Sequence, residues 1–327
     1  QAAHAAHPWI TVWDDHEIMN DTWREGAENH NEGEGDFAAR VRAARQAYHE
    51  WLPIRPSAEG DQGVIYRSFQ IGNLADLIML DTRLVGRDQQ LNYLRDLKPE
   101  DDVYEFLQKR LNASKRTLLG KPQEEWLARE LASSKKRGAV WQVLGQQVLM
   151  GKVSIPQIPA DTFTSMTLSD YTRARVESAQ QLAPLGLPLN LDAWDGYPAA
   201  RTRLYRALLK SASNPISLAG DTHNGWAFNL ADTKGKAVGV EIGTPGVSSP
   251  GLETYLPMPS AEMADLLLES SPELAAVDTA QRGWTEMTLT ADAMTSQWRF
   301  VSSVASPTYT TNTGPLMQCR AGARKLS

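Results

Sequence analysis

Apolar residues recur along the chain with two periods, one helical and one extended. At spacings of three and four, Phe37, Val41, Ala44, Tyr48 and Trp51 follow Asp36, a residue suited to cap a helix, and Pro53 supplies a stop. Pro99 opens a second helical segment, with Val103, Phe106, Leu107 and Leu111 on one face. A third starts near Pro122. It places Glu124 and Glu125 in its first turn and Lys135, Lys136 and Arg137 in its last, with Gly138 beyond, so its charges complement the helix dipole at both ends. Segments from Ala199 to Ala212 and from Ser260 to Ser270 complete the helical set. Trp51 and Trp126 occupy apolar helical positions and read as core.

Short β-branched and apolar runs lie between these helices: Ile10 to Trp13, Val64 to Ile71, Leu77 to Leu80, Val140 to Leu144, Ile216 to Leu218 and Val238 to Ile242. Trp284 to Leu289 and Ser296 to Val301 alternate like a hairpin around Thr290-Ala291-Asp292. Interleaved strands and helices predict an α/β sheet covered by helices. The stretch from Ile155 to Pro198 holds five prolines and little periodicity, which predicts a long loop that builds or covers a binding site or is an ordered surface excursion.

Composition narrows the class. Thirty-three basic against thirty-nine acidic residues give a net charge of −6, which argues against a basic nucleic-acid-binding surface. No apolar run approaches the ~18 residues of a membrane span. Cys319 is the single cysteine and excludes both an internal disulfide and a cysteine-based zinc cluster. Gly33 to Ala38 has the spacing of a dinucleotide loop without a preceding strand, and no phosphate-binding Gly-Lys-Ser/Thr loop exists. The acidic segment Glu25 to Asp36 reads as a solvated loop.

Three strand-like runs end in polar clusters: Asp14-Asp15-His16-Glu17, Asp81-Thr82-Arg83 and Asp221-Thr222-His223-Asn224. Ligands bind outside the carboxyl ends of strands in open α/β sheets, so these endings are expected to converge. Extended backbone would send Asp221 and His223 to one face, half of a metal site, with Asp15 and His16 offering a second carboxylate and imidazole. Loop capping accounts for either cluster alone, and a structural ion pair accounts for Asp81 and Arg83.

Trp13-Asp14-Asp15-His16-Glu17, followed by Asn20, resembles the Trp-Asp-Asp-His-Glu motif of the alkaline phosphatase D (PhoD-like) family of metallophosphoesterases. Gly220-Asp221-Thr222-His223-Asn224-Gly225-Trp226 is similar to its Gly-Asp-x-His-x-x-Trp motif, and the likeness continues in order through Leu80 to Arg83, Gln123 to Leu127, Trp141 to Val148, Asp195 to Pro198 and Glu241 to Ser249. The resemblance implies an α/β sandwich of two mixed central sheets flanked by helices. It also implies a dinuclear or larger centre of iron and calcium (the ligand types also admit zinc or manganese) that hydrolyses phosphate esters. On this resemblance Asp15, Asp221 and His223 are expected metal ligands, Asn20 a further one, and His16 a phosphate contact and proton donor; Arg83, from its place at a strand end, is a candidate substrate contact beside its reading as a structural ion pair. Such enzymes are periplasmic or secreted.

The family's upstream motifs, a Gly-Asp-x-x-Tyr segment and a cysteine, have no counterpart after Gln1, and Cys319 does not fill that place. Residues 1–327 are therefore expected to form the C-terminal larger part of the catalytic domain, complemented by an upstream segment. The alternatives are a non-catalytic remnant of the same fold that binds anions or cations, and a carbohydrate-binding or glycoside-hydrolysing protein using paired carboxylates with Trp9, Trp13, Trp194 and Trp226 as stacking platforms.

Overall fold

The computed structural model describes residues 2–52, 54–55, 63–98, 101–159, 162, 168, 170–255 and 258–327. Ten strands are present among them: β1 Arg67–Ile71, β2 Ala75–Met79, β3 Trp141–Gly145, β4 Asn214–Ala219, β5 Gly225–Ala231, β6 Ala237–Gly243, β7 Leu274–Asp278, β8 Arg282–Leu289, β9 Ala293–Val301 and β10 Thr311–Arg320. The first seven form one mixed sheet in the order β1-β2-β3-β4-β6-β5-β7. β2, β3, β4 and β6 run parallel at its centre, whereas β1, β5 and β7 are antiparallel to their neighbours. The last three form a second sheet, β10-β9-β8, antiparallel throughout.

Side-chain alternation along β3 explains the layering. Trp141 and Val143 join a core shared with Met294, Trp298 and Phe300 of β9, which welds the two sheets face to face. Cys319 is buried in this layer. Leu144 points the other way, into a core lined by the helices Gly120–Arg137, Pro198–Ser211 and Ser260–Ser270. The expected α/β sandwich with flanking helices is the observed architecture.

The helix Phe37–Trp51 begins as its cap predicts: Asp36 accepts bonds from the amides of Ala38 and Ala39, both at 3.1 Å. The helix Gly120–Arg137 ends on Gly138 at φ +77°, the left-handed turn that glycine adopts without strain. Residues expected to stop or start helices at Pro53 and Pro99 lie outside the described residues. The segment that follows Pro99 is a short α-turn, Val103–Glu105, running into a π-helical turn, Phe106–Leu111. Part of the expected 155–198 loop also lies outside them, and the described part contains a helix, Asp170–Leu182, which prolines and weak periodicity concealed.

Two expectations are corrected. Ile10 to Trp13 is not a strand. Its main chain is held by side chains instead, with Arg67 Nη2 donating to the Thr11 carbonyl at 2.7 Å and Gln147 Nε2 to that of Trp13 at 2.8 Å. Trp13 packs with Val41, Tyr48, Ile65 and Leu84 in a satellite core. Trp51 is not core: at the end of its helix it is 80% exposed. Trp126 is half-buried against the helical core.

Candidate metal centre and active site

Because β2, β3 and β4 are parallel, the loops after Met79, Gly145 and Ala219 leave the same edge of the sheet. Buried glutamine amides fasten those loops where ladder bonds run out. Gln147 Oε1 accepts from the Thr82 amide at 3.1 Å and its hydroxyl at 2.6 Å, and Gln147 Nε2 donates to the carbonyls of Leu80 and Trp13. Gln123 clasps the Asp81 main chain from the helix side, accepting from its N–H at 2.9 Å and donating to its carbonyl at 2.7 Å. The bond to the Trp13 carbonyl brings the next residues, Asp14 and Asp15, over the strand ends.

Arg83 is fully buried at the centre of what converges. Its Nε donates to Asp14 Oδ1 at 2.6 Å, Nη1 to both Asp192 oxygens at 3.0 and 2.8 Å, and Nη2 to Asp221 Oδ1 at 2.8 Å. Arg87, also buried, donates to the Asp192 carbonyl at 2.5 Å and to its side chain. Asp81 stays outside the cluster, accepting from Trp13 Nε1 at 3.0 Å and from the amides of Arg83 and Leu84, both at 2.8 Å, as a turn-fixing group.

Asp14, Asp15 and Asp221 each present an oxygen within 4.8 Å of the others. Asp15 is held by the amides of His16 and Asp21, both at 2.8 Å. Burial pushes the carboxyls of Asp14 and Asp221 above the ordinary range, Asp221 far above, although Arg83 opposes it in both. Burial and the Asp192 charge push Asp21 up to about 7. At Asp192 burial is outweighed by Arg83 and Arg87, which hold it low. Five carboxyl groups here face two buried guanidinium groups, so acidic groups outnumber basic ones. A hard cation is the partner that such an oxygen set accommodates.

The expected pairing of Asp221 with His223 along an extended strand is not what is found. The turn from β4 into β5 places Asp221 at φ +65° and His223 at φ +60°, and His223 lies outside the three-carboxylate group. His223 Nδ1 is 2.7 Å from the Pro250 carbonyl. A carbonyl can only accept, so Nδ1 carries a proton, which in the neutral ring leaves the lone pair on Nε2. The loop bearing Pro250 approaches closely: a Cβ on Gly246 would stand 3.0 Å from His223 Cβ.

His16 is exposed, its side chain at 75%. Its Nε2 is 3.1 Å from Asn20 Oδ1, and Asn20 Nδ2 donates to Glu28 Oε2 at 2.7 Å. The Glu28 carboxylate orients the amide with its oxygen toward His16, so the proton sits on His16 Nε2. Sequence reasoning did not single out Asp14, although it adjoins Asp15, and missed Asp192, which carries no local signal. The tryptophan platforms are corrected: Trp13, Trp194 and Trp226 are buried, with their indole N–H groups on Asp81, Gln146 and Thr222. Trp9 alone is exposed, stacked on His4 with ring centroids 4.2 Å apart.

A family model described as PhoD-like phosphatase matches residues 1–298. Alkaline phosphatase D of Bacillus subtilis (strain 168) is 32% identical over 314 residues, which are 94% of this chain and 46% of that protein. A solved structure described as "Structure of PhoD" aligns with a TM-score of 0.73 at 30% identity, over 100% of this chain and 55% of that one. The chain thus spans about half the length of the relatives it matches. With the family model covering most of its length, the chain belongs to the PhoD-like phosphatase family.

Proposed function

We propose that the protein acts in metal-dependent hydrolysis of phosphate esters. The observation that carries the proposal is the convergence of Asp14, Asp15 and Asp221 within 4.8 Å at the carboxyl edge of the sheet. Asp15 and Asp221 are the proposed carboxylate ligands, joined by Asp14; His223 through Nε2 and Asn20 through its amide oxygen are the flanking donors. Iron and calcium are the proposed cations, and zinc or manganese suit the same oxygen and imidazole donors. An extracytoplasmic location belongs to the same proposal; among the described residues no helix is long and apolar enough to cross a membrane.

When bound, such cations polarise phosphoryl oxygens and lower the pKa of an attacking water. The chain's own groups do the rest. Arg83 spaces Asp14, Asp192 and Asp221, and since each of its nitrogens already bonds a carboxylate, it acts on substrate through them. His16, when protonated on both ring nitrogens, gives its Nε2 proton to the departing alkoxide oxygen and returns to the neutral ring, help typically worth about 10²–10⁴-fold. Asn20, steered by Glu28, keeps that proton on the outward nitrogen until substrate replaces it.

The test is hydrolysis of an aryl phosphate by the metal-loaded protein, its loss on chelation and its return on adding iron with calcium. Tight metal binding without turnover would instead support the non-catalytic cation-binding alternative.

A further inference from the structure

Beside the carboxylate cluster lies a cavity of about 480 Å³. This falls within the ~300–1,000 Å³ range of small-molecule sites. Asn20, Asp21, Asp192, Asp221 and Thr222 line it on the cluster's side. Its other walls are largely apolar, with Tyr93, Leu149, Val153, Ile155, Val176 and Leu189 among them. The aromatic walls keep their polar tips elsewhere: Tyr93 donates its hydroxyl to the Pro188 carbonyl at 2.9 Å, and Trp226 its N–H to Thr222 Oγ1 at 2.7 Å.

Two wall side chains retain polar capacity. Gln90 is 5% exposed; its Nε2 donates to the Asp21 carbonyl at 3.0 Å, which fixes the amide, and its Oε1 has no partner among the described residues. Gln180 Nε2 is likewise unpaired among them. A mostly apolar enclosure with a few placed polar atoms is the usual make-up of an organic-ligand site. Five carboxyl groups, Asp21, Glu28, Asp192, Asp195 and Asp221, line it against two guanidinium groups, Arg95 (paired with Asp96) and Arg175, so acidic groups outnumber basic ones and disfavour a guest with a second anionic group.

We propose that this cavity takes the alcohol portion of the ester, and that the preferred substrates are phosphate esters of predominantly apolar, uncharged alcohols, alkyl or aryl, rather than polyanionic esters. This rests on the phosphoesterase reading of the adjoining carboxylates. The phosphoryl group then lies over Asp14, Asp15 and Asp221 while the carbon skeleton runs between the helix Asp170–Leu182 and the segment 149–155.

The inference is tested by binding, which needs no turnover. Metal-loaded protein is titrated calorimetrically with methylphosphonate, butylphosphonate and octylphosphonate below micellar concentrations. Affinity should rise about two- to fourfold for each methylene, and octylphosphonate should bind at least about 100-fold more tightly than methylphosphonate. Ala179→Trp, which projects bulk from the helical wall, should cut the octyl-to-methyl ratio at least tenfold; if that variant fails to fold, Ser178→Trp serves the same purpose. Equal affinity across the series would overturn the inference, as would a folded tryptophan variant with the parent's ratio. Turnover of methyl 4-nitrophenyl phosphate, run in parallel, tests the phosphoesterase reading on its own, so its failure is separable from failure of the chain-length dependence.

Discussion

Arg83 Nη1 grips both oxygens of Asp192, at 3.0 and 2.8 Å, across 109 residues of sequence, while its other two nitrogens hold Asp14 and Asp221. Removing one partner of a buried ion pair typically costs about 3–5 kcal/mol, because the other charge is left without compensation. Arg83→Met leaves three carboxylates facing one another with Arg87 as the remaining nearby guanidinium. The expected loss in urea unfolding at pH 8 is about 3–5 kcal/mol; a loss below about 1 kcal/mol would show that the carboxylates do not depend on Arg83.

His16→Gln should lower turnover of an aryl phosphate by about 10²-fold or more with bound metal unchanged, since glutamine keeps polarity but cannot deliver a proton. Metal content and kcat are measured on the same preparation. Turnover near the parent's would remove His16 from the role of acid.

Asp221→Ala should strip metal and activity together, because a carboxylate ligand supplies both charge and geometry. Elemental analysis after dialysis is the measurement. Parent-level metal in this variant would make Asp221 a partner of Arg83 and nothing more.

Glu241 gives a pH signature away from the cluster. Burial pushes its carboxyl up to about 7, against the pull of the Met150 and Gly151 amides and the Ser217 hydroxyl. Folding therefore favours its protonated form. That contribution is fully present below the unfolded value, about 4.5, and is lost as pH rises through about 7. The lost stability is about 3 kcal/mol between pH 4.5 and 7.5. Urea unfolding of parent and Glu241→Gln across that window should differ in slope with this sign, and parallel curves would contradict it.

Trp51→Ser is expected to change stability by no more than about 0.5 kcal/mol, as exposed substitutions do. A cost of several kcal/mol, read from thermal or urea unfolding, would place Trp51 in an interface.

That tryptophan shows where reading the sequence succeeds and fails. Period and punctuation located the helix Phe37–Trp51 and its Asp36 cap, but period alone cannot tell a helix's last turn, which can leave the core it started on. Ile10 to Trp13 has strand composition, yet Val12 and Trp13 pack in a satellite core and the carbonyls of Thr11 and Trp13 go to Arg67 and Gln147. β10 went unseen because mainly Met317 and Cys319 are buried along its ten residues, so no apolar alternation marks it. β5 was hidden inside a segment read for its chemistry. In the site, Asp15 and Asp221 were legible from their place after apolar runs. Asp192 was not, because its membership rests on contacts to Arg83 and Arg87, which no local pattern encodes.

The contacts of Arg83 reach 69, 109 and 138 residues along the chain, to Asp14, Asp192 and Asp221. Closing loops of that length costs chain entropy that only the finished sheet repays, and contacts so far apart slow folding. The cluster is therefore expected to complete late in assembly. A nascent or partly folded chain has the same aspartates but scatters them, so it lacks the grip that concentrates their charge. A cation bound at this edge would then mark a chain that has completed its topology, coupling the proposed metal loading to the end of folding.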